Sequence, residues 1–411
     1  MRVKLVVSLA AALLFMATTA GAEVIKQDLA APANRVAQKY LLIDTHIDVP
    51  YRLEEEWSDV TLSTQEGDFD YPRARKGGLD IPFMSIYTPA ESEEEGNSFD
   101  LANRLIDRVE AIAGRAPQKF VVVKTPEQAE KAHSLGLIGL AMGMENGSPI
   151  DGKLENIGFF KNRGISYITL THSLSNHISD SSYDEERQWN GLSPFGKEMV
   201  AEMNRVGIMV DVSHISDEAF WQVLKLSEVP VIASHSSARH YTPGWERNMS
   251  DEMIKALADK GGVIQVNFGS SFLTEEGRQW YETMDEVRDA FKEKNGLDEE
   301  DAGYSEAMKN FGDSYRIENP FPFATMDDLV ANFQHIIDLA GVEHVGIGSD
   351  FDGVGDSLPV GMKNVSDYPN LIEALLKLEY SMEDIAGIMG GNLMRVWRSA
   401  QAHALQSAQS G

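Results

Sequence analysis

The segment Leu42-Ile-Asp-Thr-His46-Ile-Asp48 has the pattern that decides the fold: a short apolar run that ends on residues able to bind a metal ion or move a proton. Six further apolar runs end in the same way, at Glu145, His172, His214, His235, Asn267 and Asp350. Runs of this length, bounded by turn residues, are typical of strands that are buried on both faces. Polar residues at the same end of so many strands predict that these ends converge on one site, as they do at the C-terminal face of a (β/α)8 barrel.

Strand-like and helix-like segments alternate along the whole chain, which favours an α/β fold of parallel βα units. Two predicted helices have clear starts, one at Thr125-Pro126 and one at Ser250. The pattern predicts eight strands, the number that closes a TIM barrel. They span about residues 41–48, 79–87, 137–145, 165–172, 207–214, 230–236, 262–268 and 344–350.

Residues 1–22 have the features of a cleaved signal peptide: a basic start, an apolar stretch and the small-residue sequence Ala20-Gly21-Ala22. We therefore expect an exported protein, periplasmic or secreted, with residues 23–411 forming a single (β/α)8 metallohydrolase domain. An uncleaved anchor is the competing interpretation of the apolar stretch. Two stretches, residues 52–76 and 269–325, exceed ordinary loop length, and we expect both at the C-terminal face, where barrels carry insertions.

Composition limits the partners and the kind of metal site. The net charge of −28 makes nucleic acid and anionic lipid poor partners. No later segment approaches membrane-spanning length and residues 399–411 are polar, so we expect no membrane anchor after signal cleavage. The chain has no cysteine, so a metal site must use His, Asp and Glu, which favour hard or borderline divalent ions.

Five of the strand-end residues form a candidate metal-binding set. His46 and Asp48 are two positions apart on a strand, so both side chains point to the same face and can bind one cation. Glu145 offers two oxygens and can bridge two cations. His214 and His235 end consecutive strands, about 4.8 Å apart in a sheet, which suits two imidazoles on one metal ion.

Three further residues are candidates for acting on a substrate. His172, after the fourth predicted strand, can stabilise the oxyanion of a tetrahedral intermediate. Asp350 can take a proton from a water molecule and pass it to a leaving amine, with Asp352 as the second choice. Arg247 can hold a substrate carboxylate in a bidentate contact. We expect structural or surface roles for the remaining histidines: His133, His177, His240, His335, His344 and His403.

The strand-end segments described above, in their order along the chain, resemble the renal or membrane dipeptidase family of amidohydrolase-type metal barrels. The most specific segments are Thr169-Leu-Thr-His172-Ser, Gly191-Leu-Ser-Pro-Phe-Gly196, Asp211-Val-Ser-His214, Pro230-Val-Ile-Ala-Ser-His235 and His344-Val-Gly-Ile-Gly-Ser-Asp350-Phe-Asp-Gly353. The similarity extends from Asp44 to Val396, which is nearly all of the chain without its predicted signal peptide. It implies a TIM-barrel exopeptidase that binds two zinc ions and cleaves dipeptides.

The resemblance also implies roles for individual residues. His46 and Asp48 would bind one zinc ion, His214 and His235 the other, and Glu145 would bridge them. His172 would contact the substrate, Asp350 would be the acid/base residue, and Arg247, followed by Asn248 as in the family pattern, would bind the substrate carboxylate. A C-terminal D-residue in the dipeptide and a homodimer are further expectations from the family.

The sequence departs from the mammalian members of this family in ways that affect the expected substrate preference. Those members carry cysteines and a C-terminal lipid anchor, and this chain has neither pattern. Tyr51 stands where they have tryptophan, and Gly269 stands where they have a bulky residue. The stretch 269–325 is also longer. Two other functions stay open: a metal-dependent amidohydrolase acting on N-acyl amino acids or lactams, and a barrel that binds ligands without catalysis.

Overall fold

Parallel strands form a barrel in the computed structural model, which describes residues 29–298 and 303–410. Within these residues there are nine strands: β1 (Ile43–Ile47), β2 (Ile81–Tyr87), β3 (Phe120–Val122), β4 (Ile138–Glu145), β5 (Ile165–Thr169), β6 (Met209–Asp211), β7 (Ile232–Ala233), β8 (Val263–Val266) and β9 (Val345–Ile347). Eight of them are neighbours in the order β1-β2-β4-β5-β6-β7-β8-β9, and β3 pairs with β4 outside this path.

The first strand meets the end of the last one and so closes the barrel. The Asp48 N–H donates to the Phe351 carbonyl at 2.9 Å, and the Asp350 N–H donates to the His46 carbonyl at 3.1 Å. Helices surround the strands, so the predicted (β/α)8 TIM barrel is confirmed. The predicted signal peptide, residues 1–22, lies outside the described residues.

All eight predicted barrel strands are present, but several are shorter than predicted. β5 ends three residues before His172, and β6 ends three residues before His214. Beyond the strand ends the backbone turns to present side chains to the cavity; His214 and Asp350 have φ angles of 69° and 64°. The short strand β3 was not predicted, because its three residues are too few to give an alternating or apolar pattern.

The helices include both starts that the sequence indicates: the Thr125 side chain accepts from the Gln128 N–H, and the Ser250 side chain accepts from the Met253 N–H. The helices are α1 (Ala30–Lys39), α2 (Val49–Glu55), α3 (Tyr71–Gly77), α4 (Glu91–Glu94), α5 (Ser98–Arg115), α6 (Pro126–Ser134), α7 (Leu154–Arg163), α8 (Pro194–Val206), α9 (Asp217–Leu226), α10 (Asp251–Asp259), α11 (Ser270–Leu273), α12 (Glu275–Asn295), α13 (Tyr304–Glu318), α14 (Met326–Ala340), α15 (Tyr368–Lys377), α16 (Met382–Ala386) and α17 (Asn392–Ser410). A π-helical segment, Gly387–Gly391, joins α16 to α17.

The stretch 269–325 between the last two strands is mainly helical and contains α11, α12 and α13. Aromatic side chains connect its two long helices: the Phe291 and Phe311 rings lie 4.9 Å apart, and Trp280 of α12 and Tyr315 of α13 lie 5.4 Å apart. Trp280 also packs against Phe321, with 5.0 Å between the ring centroids. This aromatic packing gives the stretch its own small core above the barrel.

None of the helices in residues 29–298 and 303–410 combines the length and the apolar character that a bilayer crossing needs.

Candidate metal centre

Glu145, the last residue of β4, lies at the middle of the candidate site and is buried. Its Oε2 lies 3.1 Å from His46 Nε2. Its Oε1 lies 3.2 Å from His214 Nε2 and 3.2 Å from His235 Nε2. The two oxygens of one carboxylate therefore face two different groups of candidate ligands, with His46 on one side and His214 and His235 on the other.

The ends of β1 and β9 contribute the first of these groups. His46 Nε2 lies 3.4 Å from Asp48 Oδ2, as the two-residue spacing on one strand predicts. Ligand atoms of His46, Asp48 and Asp350 all lie within 4.8 Å of one another, a separation that one cation can bridge. All three side chains are buried.

The loops after β6 and β7 contribute the second group. The Nε2 atoms of His214 and His235 are 2.8 Å apart, and both rings are buried. His214 adopts a left-handed backbone conformation, with a φ of 69°, which is unfavourable for a side chain of this size. Such strain at a buried polar cluster is a mark of a functional position.

His46 is oriented by the barrel interior. Its Nδ1 donates to the Tyr167 hydroxyl at 2.9 Å, and that hydroxyl donates to the Thr45 carbonyl at 2.9 Å. The Tyr167 ring fits because residue 143 is glycine; a Cβ there would lie 1.9 Å from Tyr167 Cζ. The hydrogen bond to Tyr167 places the proton of a neutral His46 on Nδ1, so that Nε2 is the nitrogen that can bind a cation.

His235 is oriented by a second chain of hydrogen bonds. Its Nδ1 donates to the Ser234 hydroxyl at 2.7 Å, which donates to Asp211 Oδ2 at 2.6 Å. Asp211 is buried and also accepts from the Thr169 hydroxyl at 2.5 Å. Ligating histidines commonly have such a partner on the other ring nitrogen. By contrast, His214 Nδ1 is buried with no hydrogen-bond partner within the described part of the chain.

The electrostatics of the cluster suit a divalent cation. Burial holds the pKa of both His214 and His235 well below its usual range, so both are neutral ligands. The positive charge of Arg247 adds to this effect for His214, and that of His46 adds to it for His235. Burial alone would raise the pKa of Glu145, but contacts with His46, His214 and His235 hold it well below its usual range. Several buried carboxylates and neutral imidazole nitrogens in such close contact need a cation to offset their desolvation.

Asp350 lies beside this cluster in a different protonation environment. Burial, together with the negative charges of Asp48 and Glu145, raises the pKa of Asp350 to about 7. Its Oδ2 accepts from Asn267 Nδ2 at 2.7 Å. Gly353 leaves room for the carboxylates, since a Cβ there would lie 2.2 Å from Asp350 Oδ1 and 2.4 Å from Asp48 Oδ2. A carboxyl group with this pKa can both accept and donate a proton near neutral pH.

His172 follows β5 and reaches the same cavity. Its Nε2 lies 3.7 Å from Glu145 Oε1, and its ring contacts the edge of Tyr87, with 4.8 Å between centroids. Burial lowers the pKa of His172, so the ring is a neutral N–H donor. The structure therefore favours the neutral, N–H-donating form of this imidazole over the cationic form.

Arg247 and Asn248 lie behind the cavity wall. Arg247 is 2% exposed; its NH1 donates to the Ser236 hydroxyl at 2.7 Å, and its NH2 lies 2.9 Å from His214 Nε2. The Asn248 amide is fully buried and engaged with the scaffold: Nδ2 donates to Thr242 Oγ1 at 2.8 Å and to a backbone carbonyl at 2.9 Å, and Oδ1 accepts from a backbone N–H at 2.9 Å. Asn248 therefore supports the loop that carries Arg247 and has no amide group left for a substrate.

A cavity of about 500 Å³ opens over these groups. Its floor includes Asp48, Glu145, His172, His214 and Asp350, and its aromatic walls are Tyr51, Tyr87, Tyr183, Phe272 and Tyr281. The other histidines have partners elsewhere: His133 with Asp80, His177 with Glu93, His240 with His335, His335 with Asp251, His344 with the Gly262 carbonyl and His403 with Glu228.

Sequence reasoning missed the groups that orient the ligands. Tyr167 and Ser234 lie within predicted strands and look like ordinary core residues. One signal was available for Tyr167: a glycine inside a strand, such as Gly143, indicates that a bulky group approaches closely. No comparable signal distinguishes Ser234 from other buried serines.

The fold and this cluster define a metal-dependent hydrolase of the TIM-barrel type. Residues 30–411 match the family model described as membrane dipeptidase, peptidase family M19. An uncharacterized dipeptidase of Schizosaccharomyces pombe is 31% identical over 385 residues, which cover 89% of this chain and 82% of that protein.

Solved structures agree with this fold. The crystal structure of the probable dipeptidase PvdM from Pseudomonas aeruginosa superposes with a TM-score of 0.77 and 25% identity, over 92% of this chain and 99% of that one. A metallo peptidase from Rhodobacter sphaeroides, crystallised with a phosphinate mimic of the dipeptide L-Ala-D-Ala, gives a TM-score of 0.72 at 22% identity, over 88% and 99% of the two chains. The chain belongs to the membrane dipeptidase family, peptidase family M19, and is a metal-dependent hydrolase of peptide bonds.

Proposed function

We propose that the protein is a dipeptidase with two zinc ions per chain and that its substrates include dipeptides with a C-terminal D-residue. The observation that carries the proposal is the position of Glu145: its Oε2 faces the Nε2 atom of His46, and its Oε1 faces the Nε2 atoms of His214 and His235. Dipeptide substrates follow from family membership. The D-residue is suggested by the bacterial metallo peptidase that binds a mimic of L-Ala-D-Ala.

In this proposal the five predicted ligands divide between two ions. His46 and Asp48 would hold one ion, His214 and His235 would hold the other, and Glu145 would be shared between them. Zinc, when bound, would lower the pKa of a water molecule toward neutrality and polarise the scissile carbonyl group. Tyr167 and Ser234 accept from the Nδ1 atoms of His46 and His235 and so direct the two Nε2 atoms at the site.

Asp350 carries the proton in this mechanism. It lies beside the predicted ligands and accepts from Asn267, so it can take a proton from the attacking water and return it to the departing amine. His172 donates its N–H to the oxygen that becomes negatively charged in the tetrahedral intermediate. Arg247 provides the positive charge for the substrate carboxylate, because its Nε is buried and unpaired within the described residues.

Hydrolysis of L-Ala-D-Ala by the zinc-loaded protein tests this function, with N-acetyl-Ala-D-Ala as a parallel substrate and a chelator as the blank. We expect cleavage of the free dipeptide alone, abolished by the chelator. Cleavage of the acetylated compound only would replace the proposal with an N-acyl amidohydrolase on the same barrel. Turnover of neither compound would contradict the proposed substrate class. Export, the single domain of residues 23–411 and the homodimer stay predictions. The location of the protein in producing cells and the mass of its mature chain test export and the start of the domain at residue 23. Its mass in solution tests the homodimer.

A further inference from the structure

Phe272, in the short helix α11, contacts both the cavity and Arg247. The residue is 8% exposed and forms part of the cavity wall. The guanidinium carbon of Arg247 lies 5.0 Å from the centre of the Phe272 ring, a cation–π distance. Phe272 therefore connects the cavity wall with the group to which we assign the substrate carboxylate.

Arg247 needs such a contact because hydrogen bonds fix it only in part. NH1 donates to Ser236, NH2 contacts His214, and Tyr183 is a further side-chain partner, while Nε has no partner among the residues that the structure describes. A flexible side chain held only through its terminal nitrogens can still tilt its plane. A ring face against the guanidinium fixes that plane and excludes water from one side, which strengthens attraction to a carboxylate.

The surrounding residues hold the Phe272 ring in this position. The Trp245 ring packs against it, with 5.1 Å between centroids. The Phe272 carbonyl accepts from Asn248 Nδ2 at 2.9 Å, so the residue after Arg247 is tied to the residue that covers it. Gly269 supplies the space: a Cβ there would lie 2.9 Å from Phe272 Cδ2 and 3.0 Å from Val354 Cγ1. A side chain at residue 269 would therefore force the Phe272 ring, Val354 or both to shift.

We propose that Phe272 is the positioning residue of the carboxylate subsite: its ring holds the Arg247 guanidinium in the plane that receives the C-terminal carboxylate of a dipeptide, and Gly269 makes room for it. This inference rests on the proposed dipeptidase function. It assigns a specific role in substrate binding to the helical stretch 269–325, which otherwise contributes only cavity walls.

The test compares four variants of the zinc-loaded protein with L-Ala-D-Ala as substrate. We expect F272L to raise KM about tenfold with kcat within about threefold, because the carboxylate contact weakens while the reacting groups are untouched. F272Y keeps the ring and should stay within about threefold of the unmodified protein in both constants. G269A should raise KM in the same direction as F272L by displacing the ring.

F323L is the matched control. Phe323 is also an aromatic residue of the stretch 269–325 with a cation over its ring, Lys363 Nζ at 3.9 Å from the centroid. F323L should leave KM unchanged. Zinc content and melting temperature, measured for every variant, separate a positioning role from a general loss of structure.

Each outcome decides the inference. An unchanged KM in F272L, an equal rise in F323L, or a fall in kcat that follows zinc content would overturn it. If F272L does not fold, G269A decides, and an unchanged KM there has the same meaning. No cleavage by the unmodified protein would overturn the proposed function and this inference together, whereas cleavage without the KM effect overturns this inference alone.

Discussion

The floor and the rim of the cavity are held together by different forces. The floor, which includes Asp48, Glu145, His172, His214 and Asp350 together with the adjoining His46 and His235, follows barrel strands and is oriented by buried hydrogen bonds. The rim, formed by residues 52–70 and α11–α13, is held by aromatic packing and ion pairs. Directional bonds fix atoms closely, whereas aromatic packing tolerates substitution. We therefore expect residues of the floor to carry out the reaction and residues of the rim to select the substrate.

Floor and rim meet at the segment after β9. Asp350 belongs to the floor, and two residues later Asp352 belongs to a latch with Asp68 and Arg52. The Asp68 N–H donates to Asp352 Oδ1 at 2.6 Å, the Asp352 N–H donates to Asp68 Oδ2 at 2.9 Å, and Arg52 Nε lies 3.1 Å from Asp352 Oδ2. Substitutions at these two neighbouring aspartates therefore test the division directly.

The largest expected effect is that of D350N on catalysis. The amide cannot carry the proton, so we expect kcat for L-Ala-D-Ala to fall about 10³- to 10⁴-fold, the range of a lost general acid–base. Zinc content and melting temperature should change little. D352N is the matched control, and kcat should fall less than about tenfold because that carboxylate holds the rim. Equal losses of kcat in the two variants would contradict the division into floor and rim.

The next effect concerns the support of the floor. S234A interrupts the path from His235 Nδ1 to Asp211, and we expect zinc affinity to fall about 10- to 100-fold, as for other lost partners of ligating histidines. Competition with a chelator of known affinity measures it. S193A is the control, because Ser193 is also a buried serine but caps α8, where it accepts from the Gly196 N–H at 2.9 Å. S193A should lower the free energy of unfolding by about 1 kcal/mol and leave zinc affinity unchanged. If S234A and S193A bind zinc equally well, Ser234 does not have the proposed role.

The same division explains what could be predicted from the sequence. The floor was predictable because each of its residues ends a buried apolar run, and parallel strands bring such ends to one face of a barrel. The orienting groups Tyr167 and Ser234 were not predictable, because they act through contacts between distant parts of the chain. Tyr167 is 121 residues from His46, and Ser234 is 23 residues from Asp211.

The rim was less predictable still. Its position between the last two strands followed from length and composition, but the contact of Phe272 with Arg247 depends on how α11 packs against a distant loop. The space at Gly269 shows only in three dimensions. Local patterns do not encode packing between segments so far apart in the chain.

The smallest expected effect is on stability and concerns the rim latch. Burial, followed by the charge of Asp352, raises the pKa of Asp68 to about 6 from an ordinary value of 3.8. The folded protein therefore binds more protons than the unfolded chain between about pH 4 and pH 6, so this group lowers stability as the pH rises through that window. D68N keeps an oxygen acceptor for the Asp352 N–H and removes the charge. We expect D68N to raise the free energy of unfolding by about 1–3 kcal/mol at pH 8 and to leave it nearly unchanged at pH 4.

Denaturant unfolding at pH 4, 6 and 8 measures this difference. D356N, which replaces an exposed carboxyl group on the same segment, is the control and should show no difference between these pH values. A D68N stability difference that is constant from pH 4 to pH 8 would mean that hydrogen bonding, and not the repulsion between Asp68 and Asp352, governs the latch. The kcat of D68N should equal that of the unmodified protein at pH 8, because Asp68 contacts Asp352 of the latch and not the reacting groups of the floor. A large loss of kcat would instead show that residues 52–70 help to position Asp350, and the floor would then extend into the rim.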